Sequence, residues 1–166
     1  MSPFFTNQQA NLNPRIGSSY AGGIVFYLDQ TGRHGLVCAP YDQGTLWWGC
    51  NRKAMLETSR NLGRGRANTS LLVSRCRTKT TAARECHNLW VYGYSDWYLP
   101  SIEELKLMFY NLHARGVGNF NGGYYWSSTE YNPALAIAFD FQFFTFRFEC
   151  LLTKNYYCHV RAIRSF

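Results

Sequence analysis

No apolar run in this chain approaches the roughly 18 residues that a membrane-spanning helix needs, so membrane insertion is not expected. Acidic residues are scarce: ten Asp and Glu stand against 17 Lys and Arg, which leaves a net charge of +7. There is no C-x-x-C pair among the six cysteines at 38, 50, 76, 86, 150 and 158, and the Cys-His neighbours are confined to Cys86–His87 and Cys158–His159. Structural zinc needs two close ligand pairs, so no metal is expected. Buried free thiols are the plain reading, and a disulfide among Cys50, Cys76 and Cys86 stays open for an oxidising compartment. Nucleophile–base order, metal spacing and phosphate-binding loops are all missing, so no catalytic residue and no cofactor are assigned. The stretch "MSPFFTNQQANLNPRIGSS" lacks a basic segment followed by an apolar one and does not read as a signal peptide. It reads as an arm or linker over 1–18, ahead of one domain over 19–166, with any export signal outside this chain.

What is present is aromatic surface and locally concentrated charge. Aromatics make up 17% of the 166 residues, which favours a β-rich domain and is also the composition of binding surfaces. The charge excess sits in one quarter of the chain. Residues 1–50 and 87–166 are each balanced, whereas 51–86 holds nine basic residues against Glu57 and Glu85. A local positive field of that kind attracts polyanions, and Arg52, Lys53, Arg60, Arg64, Arg66, Arg75, Arg77 and Lys79 are candidate contacts for a sulfated polysaccharide. Specific nucleic-acid binding is not expected, since "NLGRGRANTS" has no aromatics among its arginines and no nucleic-acid-binding motif occurs.

Local patterns suggest an α+β fold. "GGIVFYLD" and "GLVCAP" flank "QTGRH" and read as a hairpin. "TLWWGC" follows, its paired Trp47 and Trp48 suiting a chain that crosses from core to surface. The basic stretch 51–79 reads mostly as loop, and a short helix is expected over about Thr81–Trp90. In "LPSIEELKLMFYNLHARG", Ser101 and Glu104 form a capping-box pattern, Leu105, Met108, Phe109 and Leu112 make one apolar stripe, and Gly116 ends the helix. "HVRAIRSF" reads as a last strand.

Six of the twelve phenylalanines fall within Phe139–Phe148. Their phase flips between Phe143 and Phe144, which predicts a hairpin with those two at its tip. Phe141 would then face Phe146, and Phe139 would face Phe148, with Asp140 opposite Arg147 on the other side. Phe-Phe is poor turn chemistry, so a longer or bulged loop is the alternative. One Phe face can be core; the tip and "ECLL" should protrude, and exposed apolar clusters mark interaction surfaces.

"YAGGIVFYLDQTGRHGLVCAP", "WWGC", "GRANTS", "GYSDWYLPSIEELKLMFYNL", "GVGNF", "YYWSSTEY" and "VRAIRSF" together resemble the C-terminal domain of the Legionella collagen-like adhesin and its bacterial relatives, over roughly residues 15–166. The resemblance implies a C-type-lectin-like fold, with two helices packed on short antiparallel sheets and ligand binding just ahead of the C-terminus. Formylglycine-generating enzymes share that fold, but their chemistry needs a cysteine pair at a substrate groove. The segment before "VRAIRSF" departs from the family pattern: Ala136 is followed by Ile137 rather than Trp, and no Gly occurs from Tyr125 onward. It resembles the variable region of proteins diversified by a retroelement that randomises adenines in Asn codons. Such codons reach Phe, Leu, Tyr, Cys, His, Arg, Thr and Pro, whereas Gln142, Glu149 and Lys154 would have to be fixed by the template. On this reading the ligand contacts are drawn from Tyr131, Asn132, Leu135, Ile137, Phe143, Phe144, Phe146, Phe148, Leu151, Leu152, Tyr156, Tyr157 and His159. The partner is a protein or glycan on another cell or surface, the domain is extracellular or on a phage tail, and homo-oligomerisation stays open.

Overall fold

The computed structural model describes residues 13–55, 57–142 and 148–166. These residues form an α+β domain with three helices and two sheets among them. Strands β1 (Ser19–Tyr20), β2 (Gly23–Leu28), β3 (Gly35–Cys38) and β9 (Ile163–Ser165) form the first sheet, in that order. The second runs β4 (Thr45–Trp47), β8 (Tyr157–His159), β5 (Tyr124–Glu130), β6 (Leu135–Asp140) and β7 (Glu149–Thr153). This second sheet is mixed rather than purely antiparallel, because β5 and β8 run parallel where Tyr125 meets His159.

The β2–β3 hairpin forms as its sequence suggests, closed by the Asp29 amide donating to His34 O at 2.8 Å. Of the arm expected over 1–18, residues 1–12 lie outside the described residues. Gly17 and Ser18 are tied to β2: the Gly17 amide donates to Val25 O, and Ser18 O accepts from the Val25 amide.

Among the described residues three helices replace the two expected. The extra one, α1 (Gly65–Arg75), lies in the basic stretch read as loop. Its packed face hides the signal, because the buried positions are Gly65, Asn68, Thr69 and Leu72, mostly small or polar. Hydrogen bonds hold that face. The Asn68 side chain donates to Ser59 O and Ser128 Oγ and accepts from the Ser59 amide; the Thr69 hydroxyl donates to Leu99 O and accepts from the Leu99 amide. Helix α2 (Ala82–Asn88) falls where expected, with Thr81 accepting from the Arg84 amide as its N-cap.

Helix α3 (Ile102–Asn111) carries the full capping box. Glu104 is buried, accepts from the Ser101 amide at 2.7 Å and from the Gly63 amide at 3.0 Å, and so fastens the loop before α1 to the start of α3. Burial raises its pKa against the pull of those amides. The stripe Leu105, Met108, Phe109 and Leu112 is buried against Phe26, Tyr125, Ile137, Phe139 and Phe141. A short 3-10 turn, His113–Arg115, follows and ends at Gly116, whose φ of 70° favours glycine.

Two ladders differ from expectation. The β6–β7 hairpin exists, but Phe139 faces Glu149, not Phe148, one residue out of the expected register. Residues 143–147 themselves lie outside the described residues. The Phe139 and Phe148 rings still stack, 5.6 Å apart and nearly parallel. The expected last strand is divided between the sheets: β8 ends at His159, and the chain crosses through Val160–Ala162 before β9.

One disulfide, Cys50–Cys76, closes a segment of 26 residues around α1. Cys38, Cys86 and Cys158 are free thiols. Loop-closure entropy for that length predicts that reduction, or the Cys50→Ser/Cys76→Ser pair, lowers stability by about 3.5 kcal/mol. Urea unfolding with and without reductant reads this directly, and coincident curves would assign the bond no role in stability.

Candidate functional site

The C-terminal positions singled out in the sequence separate into core and surface. Ile137 is a correction: it is 2% exposed, packed under α3 with Phe139 and Phe141, and cannot touch a ligand. It shares the strand phase of Phe139 and Phe141, and that phase points inward. Phe148 is half-buried against Phe109 and Phe139, so its inner face is core. Phe143, Phe144 and Phe146 lie outside the described residues.

The remaining positions reach solvent from three supports. At the β5–β6 turn, Tyr131 is exposed while its amide is held by Leu135 O at 3.0 Å. Asn132 shapes that turn, its Oδ1 accepting from the Ala134 and Leu135 amides, while Leu135 is half-buried where β6 begins. On β7, Leu151 is exposed and Leu152 packs partly on the core. Across the β7–β8 turn stand Tyr156 and Tyr157, the latter 58% exposed, followed by His159, which is half-buried against the Tyr125 ring.

Two aromatics outside the sequence-derived list complete this last group. Tyr157 stacks on Trp47 at 5.9 Å and 12°, and Tyr156 meets the edge of Tyr124 at 6.2 Å. The Trp47 indole is fixed by donating to Thr80 O at 2.9 Å. The sequence did carry a signal for Trp47: in the Trp47-Trp48 pair one ring had to face out, and Trp48 is the buried one, donating to Ser127 O. Tyr124 could have been found by alternation, since Tyr125 beside it is buried.

Beside the Trp47–Tyr157 pair lies a cavity of about 380 Å³ lined by Trp47, Cys50, Asn51, Thr78, Lys154 and Asn155, among others. The disulfide brings its two basic rims together. Arg52 adjoins Asn51, and Arg77 and Lys79 flank Thr78; all three are exposed, with no carboxylate at ion-pair distance among the described residues. Arg64, also exposed, precedes α1 and is likewise unpaired among the described residues. The rest of the basic segment is engaged. Arg60 pairs with Glu149 at 2.8 Å, Arg66 with Asp96 at 3.3 Å and Arg75 with Glu57 at 2.8 Å, and Lys53 donates to Arg75 O. Burial would raise the Glu149 carboxyl, but hydrogen bonds from Arg60 and Lys106 outweigh it and hold its pKa below the usual value.

The floor of this region is an ion pair. The Lys154 side chain is wholly buried, bonded to Glu130, to Lys53 O at 3.0 Å, and lying 4.7 Å from the Trp48 ring centre. Glu130 in turn accepts from the Met55 amide at 2.7 and 2.9 Å. Burial pulls the Lys154 pKa down and Glu130 opposes it.

No family model matches this chain, and no curated protein does. Among solved structures, the chain is similar to the crystal structure of a fimbrial protein from Bacteroides ovatus, with a TM-score of 0.54 and 14% identity. The match covers 85% of this chain and 43% of that one, so the chain spans less than half of that protein's length. At this identity the likeness is one of fold.

Replacing Lys154 by Met should cost about 3–5 kcal/mol, because Glu130 is then left charged and buried with its cation gone. Adding Glu130→Gln should return part of that loss. Thermal unfolding of the three proteins checks both steps; an unchanged melting point for Lys154→Met would mean the pair is solvated.

Proposed function

We propose that this chain is a non-catalytic, ligand-binding adhesion domain of C-type-lectin-like fold, displayed outside the cell or on a phage, whose recognition surface is built from Tyr131, Leu151, Leu152, Tyr156, Tyr157 and His159 together with Trp47 and Tyr124. The observation that carries this reading is the group of solvent-facing aromatic and aliphatic side chains on β7, β8 and their turns, set on a fixed main chain. Large exposed aromatics presented on a rigid scaffold are what a recognition surface uses. That the similar structure is a fimbrial protein fits a surface role.

Diversification by a retroelement is part of the proposal. Two of the three residues that Asn-codon randomisation cannot reach, Glu149 and Lys154, are held in ion pairs with Arg60 and Glu130. Residues that hold the scaffold are the ones a diversified segment must keep. A surface-displayed library randomised at Tyr131, Leu151, Leu152, Tyr156, Tyr157 and His159 should remain largely folded, judged by binding of a conformation-dependent antibody. The same randomisation at Ile137, Phe139, Phe141, Lys154 and Glu149 should abolish display. Equal loss in both libraries would mean that the first set is core and would sink the proposal.

A second reading rests on the disulfide-linked cations. Arg52, Arg77 and Lys79 adjoin one cavity without carboxylate partners among the described residues, which suits a sulfated polysaccharide. Retention on immobilised heparin should fall steeply between low and physiological salt. Arg77→Ser/Lys79→Ser should elute earlier than the parent, while Arg75→Ser, already paired with Glu57, should elute nearly with it. Retention that never appears, or that survives high salt, removes this reading.

A further inference from the structure

A second cavity, about 440 Å³, lies at the β1–β2 end of the first sheet and shares no lining residue with the C-terminal surface. Two tight turns build it. Ala21 and Gly22 join β1 to β2 with φ of 46° and 80°, and Tyr92 and Gly93 join the Val91–Tyr94 bridge with φ of 50° and 85°. Positive φ at both central positions is the pattern of a type I′ turn, where Asn and Gly are the usual residues. The turns are locked together. Gly22 sits so close to the Tyr94 ring that a Cβ would lie 2.5 Å from it, and Arg164 lies over that ring at 3.9 Å while donating to Ala21 O at 2.8 Å.

Tyr92 is the anomaly. A bulky side chain at positive φ is strained, and such strain persists where something other than stability chose the residue. Tyr92 lines the cavity yet is 72% exposed, and Trp90, two residues earlier, is 71% exposed. The cavity is otherwise bounded by Ser19, Tyr20, Ala21, Gly22, Gly23, Ile24 and Pro40, none of which carries a charged side chain.

We propose that this cavity binds a neutral saccharide, with Tyr92 stacking on the ring. The chemistry selects that class. A pyranose offers one face of C–H groups to an aromatic ring and a rim of hydroxyls to a serine, tyrosine hydroxyls and peptide groups. The volume is in the range of pockets that enclose a small molecule, about 300–1,000 Å³. An acidic sugar would find no counter-charge, since Arg164 is committed to Asp96 and Ala21 O. An extended peptide would need a strand to pair with, and β1 is only two residues long.

The test is a titration of ¹⁵N-labelled protein with maltotriose, cellotriose, chitotriose and mannotriose, and with a sulfated heparin disaccharide as the charged comparison. At least one neutral trisaccharide should give saturable shifts centred on Ser19–Ile24 and Val91–Tyr94. Tyr92→Asn relieves the backbone strain, so its melting temperature should hold or rise while affinity falls roughly tenfold or more. Tyr92→Phe should keep most of the affinity. The proposal is overturned if no neutral sugar shifts these resonances, if Tyr92→Asn binds as tightly as the parent, or if the sulfated disaccharide occupies the same residues more tightly. None of these outcomes depends on the C-terminal surface.

Discussion

The molecule depends on one buried guanidinium. Arg161 is 1% exposed and lies in the crossing between the two sheets. It donates to Asp42 at 2.6 Å, to Ala39 O and Gly118 O at 3.1 and 2.8 Å, and to Asn119 O at 3.1 Å, with its carbon 4.2 Å from the Phe120 ring centre. A charge taken out of water is tolerated only when it is paired and its remaining donors are satisfied, and here both conditions are met. Asp42 passes the constraint on, accepting from the Tyr125 hydroxyl and the Asn121 side chain at 2.8 Å each. Two loops and the central strand of the second sheet are thereby fixed around one side chain near the end of the chain. Arg164, three residues on, does the same work at the other end of the first sheet, through Asp96, Ala21 O and the Tyr94 ring.

That arrangement explains how one short stretch can serve core and surface at once. Between β6 and β9 the chain supplies Phe139 and Phe141 to the cluster under α3, Lys154 to a buried ion pair, and Arg161 to the loops. The side chains left facing solvent sit between these anchors. Each is held by main-chain pairing that does not depend on its identity: Leu151 opposite Ile137, Tyr157 opposite Trp47, Tyr131 on Leu135 O.

Much of this was legible where local physics dominates. The β2–β3 hairpin, the α3 capping box and its apolar stripe, and α2 all follow from patterns confined to a few residues. Helix α1 was not legible, because Gly65, Asn68 and Thr69 contribute hydrogen bonds and close approach where a helix usually contributes leucines. The β6–β7 register slipped by one because the phase of six phenylalanines fixes which rings share a face but not how many residues the connection uses. Ile137 was misplaced for a different reason. Its alternation with Phe139 and Phe141 pointed to the core, and the family pattern at that position, not the residue's own phase, put it on the surface. Trp47 was half legible: the pair with Trp48 required one exposed ring, but only the ladder with β8 shows that the ring lies on Tyr157.

The basic segment shows why charge counting and charge placement are different questions. An excess of seven in residues 51–86 reads as one continuous field, yet Arg60, Arg66 and Arg75 are each at ion-pair distance from a carboxylate contributed by another part of the chain or by the same loop. Those pairs are partly exposed, so each stabilises the fold little. Their larger consequence is to take cations out of the field, leaving Arg52, Arg77 and Lys79 where Cys50–Cys76 draws the two ends of the segment together. A disulfide therefore converts a diffuse sequence feature into a local one, beside the aromatic pair that the other end of the chain provides. Sequence distance had separated the two; the 5.9 Å stack of Trp47 on Tyr157 and the cavity shared by Asn51, Thr78 and Asn155 join them.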